Sequence, residues 1–331
     1  MIQQLMIVFA LIFSAYSTKS QTLKILSQGT PTNPRGIGIY KNVIWVSGSS
    51  GYVARSADNG ATWQWQQVPG YEKNDFRDIQ VLDENTALIL SIASPAYILK
   101  TKDAGRSWKK VYENKEAALF LDAMAFSDGK HGYVIGDPIN KHLFMAGTNN
   151  AGDSWQETNR FHFPEPQKGE AFFAASGTNI VVEDSRLFLA SGGAQSRLFT
   201  IGKAIKLPIA QGTATSGANG IGILNNKIMI AGGDFSQPAK KDSVLIYSND
   251  AGLTWNAPQA APGGYRSAVG AVDENTWITC GLTGVDISKD GGKTWQLVCP
   301  ESFNALCIDR SRRIVFLAGP KGKIGRIDLA N

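Results

Sequence analysis

An eight-residue pattern that returns five times constrains this chain more than any other feature. It reads Ser56-Ala-Asp58-Asn-Gly60-Ala-Thr62-Trp63, then Thr101-Lys-Asp103-Ala-Gly105-Arg-Ser107-Trp108. It returns as Thr148-Asn-Asn150-Ala-Gly152-Asp-Ser154-Trp155, Ser248-Asn-Asp250-Ala-Gly252-Leu-Thr254-Trp255 and Ser288-Lys-Asp290-Gly-Gly292-Lys-Thr294-Trp295. The third positions fall 40–47 residues apart, apart from one gap of 100 between 150 and 250. A fixed period of this size marks a supersecondary unit that buries its apolar face only against its neighbours. The long gap is two periods, so one unit lacks the pattern. It should hold Ile180–Val182, Leu187–Ala190 and Arg197–Ile201. A further unit follows Trp295, with Ala305–Asp309, Ile314–Ala318 and Lys323–Leu329, which makes seven.

Within a period the rhythm is that of an antiparallel meander. The first reads Gly36–Tyr40, Val43–Ser47, Tyr52–Ser56 and Thr62–Val68, short β-rich runs parted by turn residues. Seven such units predict an all-β fold, a seven-bladed β-propeller of four-stranded blades over residues 21–331. The last blade is one strand short, and Thr22–Ser27 is placed to supply it and close the ring.

The repeated residues have a folding role. Asp58, Asp103, Asp250, Asp290 and the variant Asn150 can accept backbone N–H bonds inside a tight turn. The glycine supplies a positive φ. Trp63, Trp108, Trp155, Trp255 and Trp295 each offer a large ring to bury between sheets.

Composition excludes several classes. A net charge of +5, with no basic run beyond Lys240-Lys241 and Arg310-Ser-Arg312-Arg313, argues against nucleic acid. Leu5–Phe13 is too short to span a bilayer and, with the small polar residues after it, reads as a signal peptide over residues 1–20. The expectation is an exported monomer, periplasmic or secreted, without a stable membrane span. Cys280, Cys299 and Cys307 show no metal-ligand spacing, and their disulfide state stays open. Gly220-Ile-Gly222-Ile-Leu-Asn225 fails the dinucleotide fingerprint, and the three histidines carry no haem or metal motif. No cofactor and no metal are expected.

The repeat resembles the Asp-box, or BNR, repeat of sialidases, xyloglucan-cleaving propellers and photosystem II assembly-factor-like propellers. Phe126-Ser-Asp128-Gly-Lys-His131-Gly-Tyr-Val-Ile-Gly136-Asp137-Pro138, Gly169-Glu170-Ala-Phe-Phe-Ala-Ala-Ser176-Gly177-Thr178-Asn179 and Gly264-Tyr265-Arg266-Ser267 resemble exported bacterial members of the last group. Labels such as oxidoreductase or glycosyl hydrolase do not follow from the repeat itself.

Residues just ahead of each innermost strand should converge on one mouth of the central channel. They are Arg35, Arg77 with Asp78, Asp122, Glu170, Asn219, Tyr265 with Arg266, and Asn304. Asp137, His142, Arg197 and the 234–242 insert should share that face. Arginine suits bidentate capture of a carboxylate. The residues fit three readings: charges paired across a wet channel, a binding rim, or a hydrolytic site. The expected function is an exported binding or assembly-type propeller that recognises a protein or anionic ligand at this rim. The alternative is a sialidase-like glycoside hydrolase using Asp122, Glu170 and Tyr265. Against it, sialidases place their first arginine in a Phe/Tyr-Arg-Ile-Pro motif, where this chain has Pro34-Arg35-Gly36-Ile37.

Overall fold

The computed structural model describes residues 22–158 and 162–329; the expected signal peptide lies outside the described residues. Seven antiparallel blades stand around an axis, and each inner strand packs on the next, the last on the first. From inside outward, blade one is Gly36–Tyr40, Val43–Ser47, Tyr52–Ser56 and Gln64–Gln67. The outer strand begins two residues later than expected, because Thr62 and Trp63 stay in the turn. Blades two, three, four and six repeat the order from inner strands Phe76–Val81, Leu121–Phe126, Ile180–Glu183 and Ala268–Ala271.

Blade seven joins the two ends of the chain. Ala305–Asp309, Ile314–Gly319 and Lys323–Asp328 are completed outside by Leu23–Ser27, which runs antiparallel to the last of them. Blade five departs from the pattern. Ser216–Leu224, Lys227–Asp234 and Leu245–Ser248 form it, while its fourth position shrinks to one bridge between Tyr247 and Asn256. Two short strands, Glu170–Ala171 and Gly192–Gly193, add to its inner edge.

Seven apolar clusters fill the seven seams between blades, so the core is a ring of interfaces rather than one centre. Each of the five repeated tryptophans enters the seam with the preceding blade: Trp63 with blade seven, Trp108 with one, Trp155 with two, Trp255 with four and Trp295 with five. In the seam before blade four, which has no box, Phe163, Phe172 and Phe199 take that place.

The repeated turn is one hydrogen-bond device used five times. Asp58 Oδ1 accepts the Thr62 N–H at 2.8 Å, its Oδ2 accepts the Thr62 hydroxyl at 2.6 Å, and Ser56 Oγ accepts the Gly60 N–H at 2.8 Å. Asp103, Asp250 and Asp290 repeat these contacts. Asn150 keeps one as an acceptor and donates the other to Ser154. Those bonds hold Asp58, Asp103 and Asp250 at about 2, below the usual carboxylate range. Gly105 shows why the fifth position is glycine. Its φ is +88°, and a Cβ would meet the Trp45 ring of blade one at 2.8 Å.

Candidate functional site at the channel mouth

Because strands alternate in direction, the repeated turns and the starts of the inner strands lie on opposite faces. On the box face, Asn59, Ala104, Ala151 and Ala251 donate to the turns between first and second strands. On the other face, a cavity of about 410 Å³ gathers Arg35, Arg77, Asp137, Asn219, Tyr265 and Asn304 from six blades.

A backbone device invisible in the repeat re-aims three of the residues expected at the mouth. The inner strands of blades two, three and five each carry a register shift, between Phe76 and Asp78, Leu121 and Ala123, and Ala218 and Gly220. Arg77, Asp122 and Asn219 are the extra residues. A bulge of this kind bends the strand and redirects the inserted side chain.

The connection from blade three to blade four crosses the mouth as a floor. Phe172 N–H donates to Asp137 Oδ1 at 2.9 Å, and Ala175 O accepts from Arg35 at 3.4 Å. Ser176 Oγ donates to Ser267 O at 2.7 Å. Gly177, at φ +71°, lies so close to Asp78 that any Cβ would collide with its carboxylate. The segment 172–178 therefore touches blades one, two, three and six. Phe173, Phe235 and Tyr265 make a chain of edge-to-face contacts beside it, with Phe235 41% exposed. Phe235 comes from the 234–242 insert, so that insert reaches the mouth.

The remaining mouth residues are fixed from behind. Tyr265 donates to Asn219 Oδ1 at 2.8 Å, and burial raises the phenol's pKa. Asn304 donates to Asn33 and to Pro34 O. Arg77 pairs with Asp75 at 2.8 Å and lies over the Phe120 ring. Burial, and then repulsion from Arg77, lowers the pKa of Arg35.

Four residues are placed otherwise than the strand phasing predicts. Arg266 is fully buried and ion-paired to Asp286 inside blade six. Glu170 does not precede an inner strand; Asn179 holds that place in blade four. Glu170 is buried, accepting from Ser191 and from Arg197 in a two-nitrogen clamp. The cause is the length of the connection, which let Glu170 mimic the position that it precedes by nine residues. Asp78 is buried and caps the N–H groups of Ile79 and Met124, and burial still raises it to about 7. Asp122 is wholly buried, and neither of its oxygens has a well-formed hydrogen bond. Burial and then the Asp137 charge hold it well above the carboxylate range. A hydrolytic pair needs two carboxyls facing one space; here one is clamped and the other lies behind the wall. Among the described residues no three His, Cys, Asp or Glu side chains group as a metal site would, all three cysteines are free, and no helix is long and apolar enough to cross a membrane.

The channel's far mouth, on the box face, is different in kind. About 670 Å³ is lined largely by aliphatic side chains, among them Ile39, Val181, Ile223 and Ile308. Arg310 bridges it to the carbonyls of Ala271 and Ile223.

Comparison with known proteins agrees with this architecture. The BNR/Asp-box repeat family matches residues 286–297, which span the box of blade six. No curated protein matches the chain. Among solved structures, YCF48 from Cyanidioschyzon merolae superposes with a TM-score of 0.66 at 15% identity, covering 92% of this chain and 98% of that one. YCF48 bound to D1 peptide gives 0.65 at 16%, covering 93% and 97%. A GH74 xyloglucanase from Xanthomonas campestris gives 0.59 at 16%, with 92% of this chain matching 53% of that one. At such identities the likeness is one of fold. The chain carries BNR/Asp-box repeats on a seven-bladed β-propeller similar to YCF48.

Proposed function

We propose that the chain is an exported binding propeller whose mouth, opposite the boxes, recognises a protein segment through an anionic group. The observation that carries this reading is Arg35. Among the described residues its guanidinium has no carboxylate within ion-pair reach, and its one side-chain hydrogen bond is to a carbonyl at 3.4 Å. A half-buried guanidinium gains most from a carboxylate that can meet it with two parallel hydrogen bonds. Arg77 stands beside it, and the exposed Phe235 and Leu282 offer apolar contact at the same opening. Mixed aromatic and arginine surfaces of this kind are where binding energy concentrates. A YCF48 propeller of the same fold has been solved with a D1 peptide, which supports a peptide as the class of ligand.

The test is binding of a peptide array that varies acidic side chains and free or amidated C-termini. Arg35→Ala and Arg77→Ala should each weaken acidic peptides about tenfold, the equivalent of about 1.4 kcal/mol. Binding should also fall as salt rises. Peptides that bind both variants as well as the wild type would remove the mouth from the reading. Export is tested by fractionation and by the mass of the mature N-terminus, which should lack about twenty residues.

A further inference from the structure

We propose that Asp122 and Asp137 together hold one proton at neutral pH and so set the charge of the mouth. This deepens the binding reading by naming a control on the same site. The geometry carries it. In the antiparallel first two strands of blade three Leu121 pairs with Gly136, and the two aspartates flank that rung, Asp122 bulged on the inner strand and Asp137 on the second. Asp137 lines the cavity, while Asp122, the bulged residue, is fully buried behind it. Neither Asp122 oxygen has a well-formed hydrogen bond, and only the Ala174 amide of the floor segment approaches it. An ionised carboxylate in that setting would be a buried, uncompensated charge, which proteins avoid by retaining the proton.

The surrounding groups do not change this balance. From blade two, Arg77 attracts the Asp122 charge but already pairs with Asp75. Asp78, also of blade two, is committed to the N–H groups of Ile79 and Met124. The floor segment offers Asp137 the Phe172 amide and no charge. Arg35 from blade one and the neutral Tyr265 from the segment before blade six complete the mouth. With the proton in place, the two arginines face Asp75 and at most one further carboxylate. Its loss adds a second negative charge beside Arg77, and the mouth becomes less attractive to an anion.

Carboxyl ¹³C titration of the full chain by NMR decides the matter without any ligand. One proton should stay on the pair well above the ordinary carboxylate range, and Asp137→Asn should lower the remaining Asp122 midpoint. Asp122→Asn, the neutral isostere, should melt at or above the wild-type temperature at pH 8. Two carboxyls that both titrate near the ordinary value of about 4 would overturn the proposal. So would an Asp122→Asn variant that folds but melts well below the wild type at every pH. Loss of peptide binding with the proton still present would count against the binding reading alone.

Discussion

The two faces of this propeller are built on opposite principles. On the box face, four turns repeat the same hydrogen bonds and a fifth, at Asn150, reverses one; the four carboxylates stay ionised because backbone and hydroxyl donors surround them. On the opposite face no two blades contribute the same residue in the same way. Three inner strands are bulged, one connection crosses the axis as a floor, and acids are buried rather than solvated. Regularity serves closure of the ring, since every blade must present a similar edge to the next. Irregularity is where a propeller can differ from its neighbours in fold, which is why the proposed recognition is placed there.

The comparison breaks most directly through the tryptophans. Trp295 is buried in the seam between blades five and six and donates to Gly292 O at 3.1 Å. Trp295→Ala should cost about 3–5 kcal/mol. A thermal melt should fall sharply, while the variant that still folds at low temperature keeps its peptide affinity. Equal loss of affinity would mean that the faces are not separable.

A smaller effect should come from the turn backbone. Gly105→Ala introduces a Cβ at φ +88° against the rigid Trp45 ring, at a cost of about 1–3 kcal/mol. Denaturant unfolding should show a lower midpoint with an unchanged slope. An unchanged midpoint would show that the box glycine is not needed for docking onto the preceding blade.

The smallest and sharpest contrast is in pH dependence, because the two faces carry shifts of opposite sign. Asp58, Asp103 and Asp250 sit at about 2 in the fold, below their ordinary value. Their contribution is present above the unfolded pKa of about 4 and lost as pH falls through about 2. Asp78 is raised to about 7 by burial. Its contribution is full below about 4 and lost as pH rises through about 7. Melting temperature should therefore fall at both ends. Asp103→Asn should flatten the acid limb, and Asp78→Asn the decline between about pH 4 and 7, even if its overall melting point is lower. Identical limbs in wild type and both variants would refute the assignment.

Much of this architecture is legible in the order of residues alone. The spacing of five boxes yields seven blades, and the missing outer strand of the last blade points to Thr22–Ser27, of which Leu23–Ser27 takes that position. The first three strands of blade one match residue for residue, since alternating apolar runs and turn residues act locally. Arg35, Arg77, Tyr265, Asn219 and Asn304 reach one mouth because equivalent positions in a closed ring share a face. Glu170 and Arg266 show where that logic ends. Both lie near the right place in the chain, yet each is drawn inward by an oppositely charged partner, Arg197 or Asp286, that spacing cannot pair.

Local chemistry thus determined the repeat, the turn, the blade count and the closure, because each depends on a few residues in sequence. Which acids face water and which are buried was decided only by the tertiary structure. That outcome depends on a bulge of one residue, on a floor segment arriving from another blade, and on the desolvation these create together. Asp122 belongs to an ordinary strand in the sequence. Its burial beside Asp137 exists only once blades two and three and the crossing segment have closed around it.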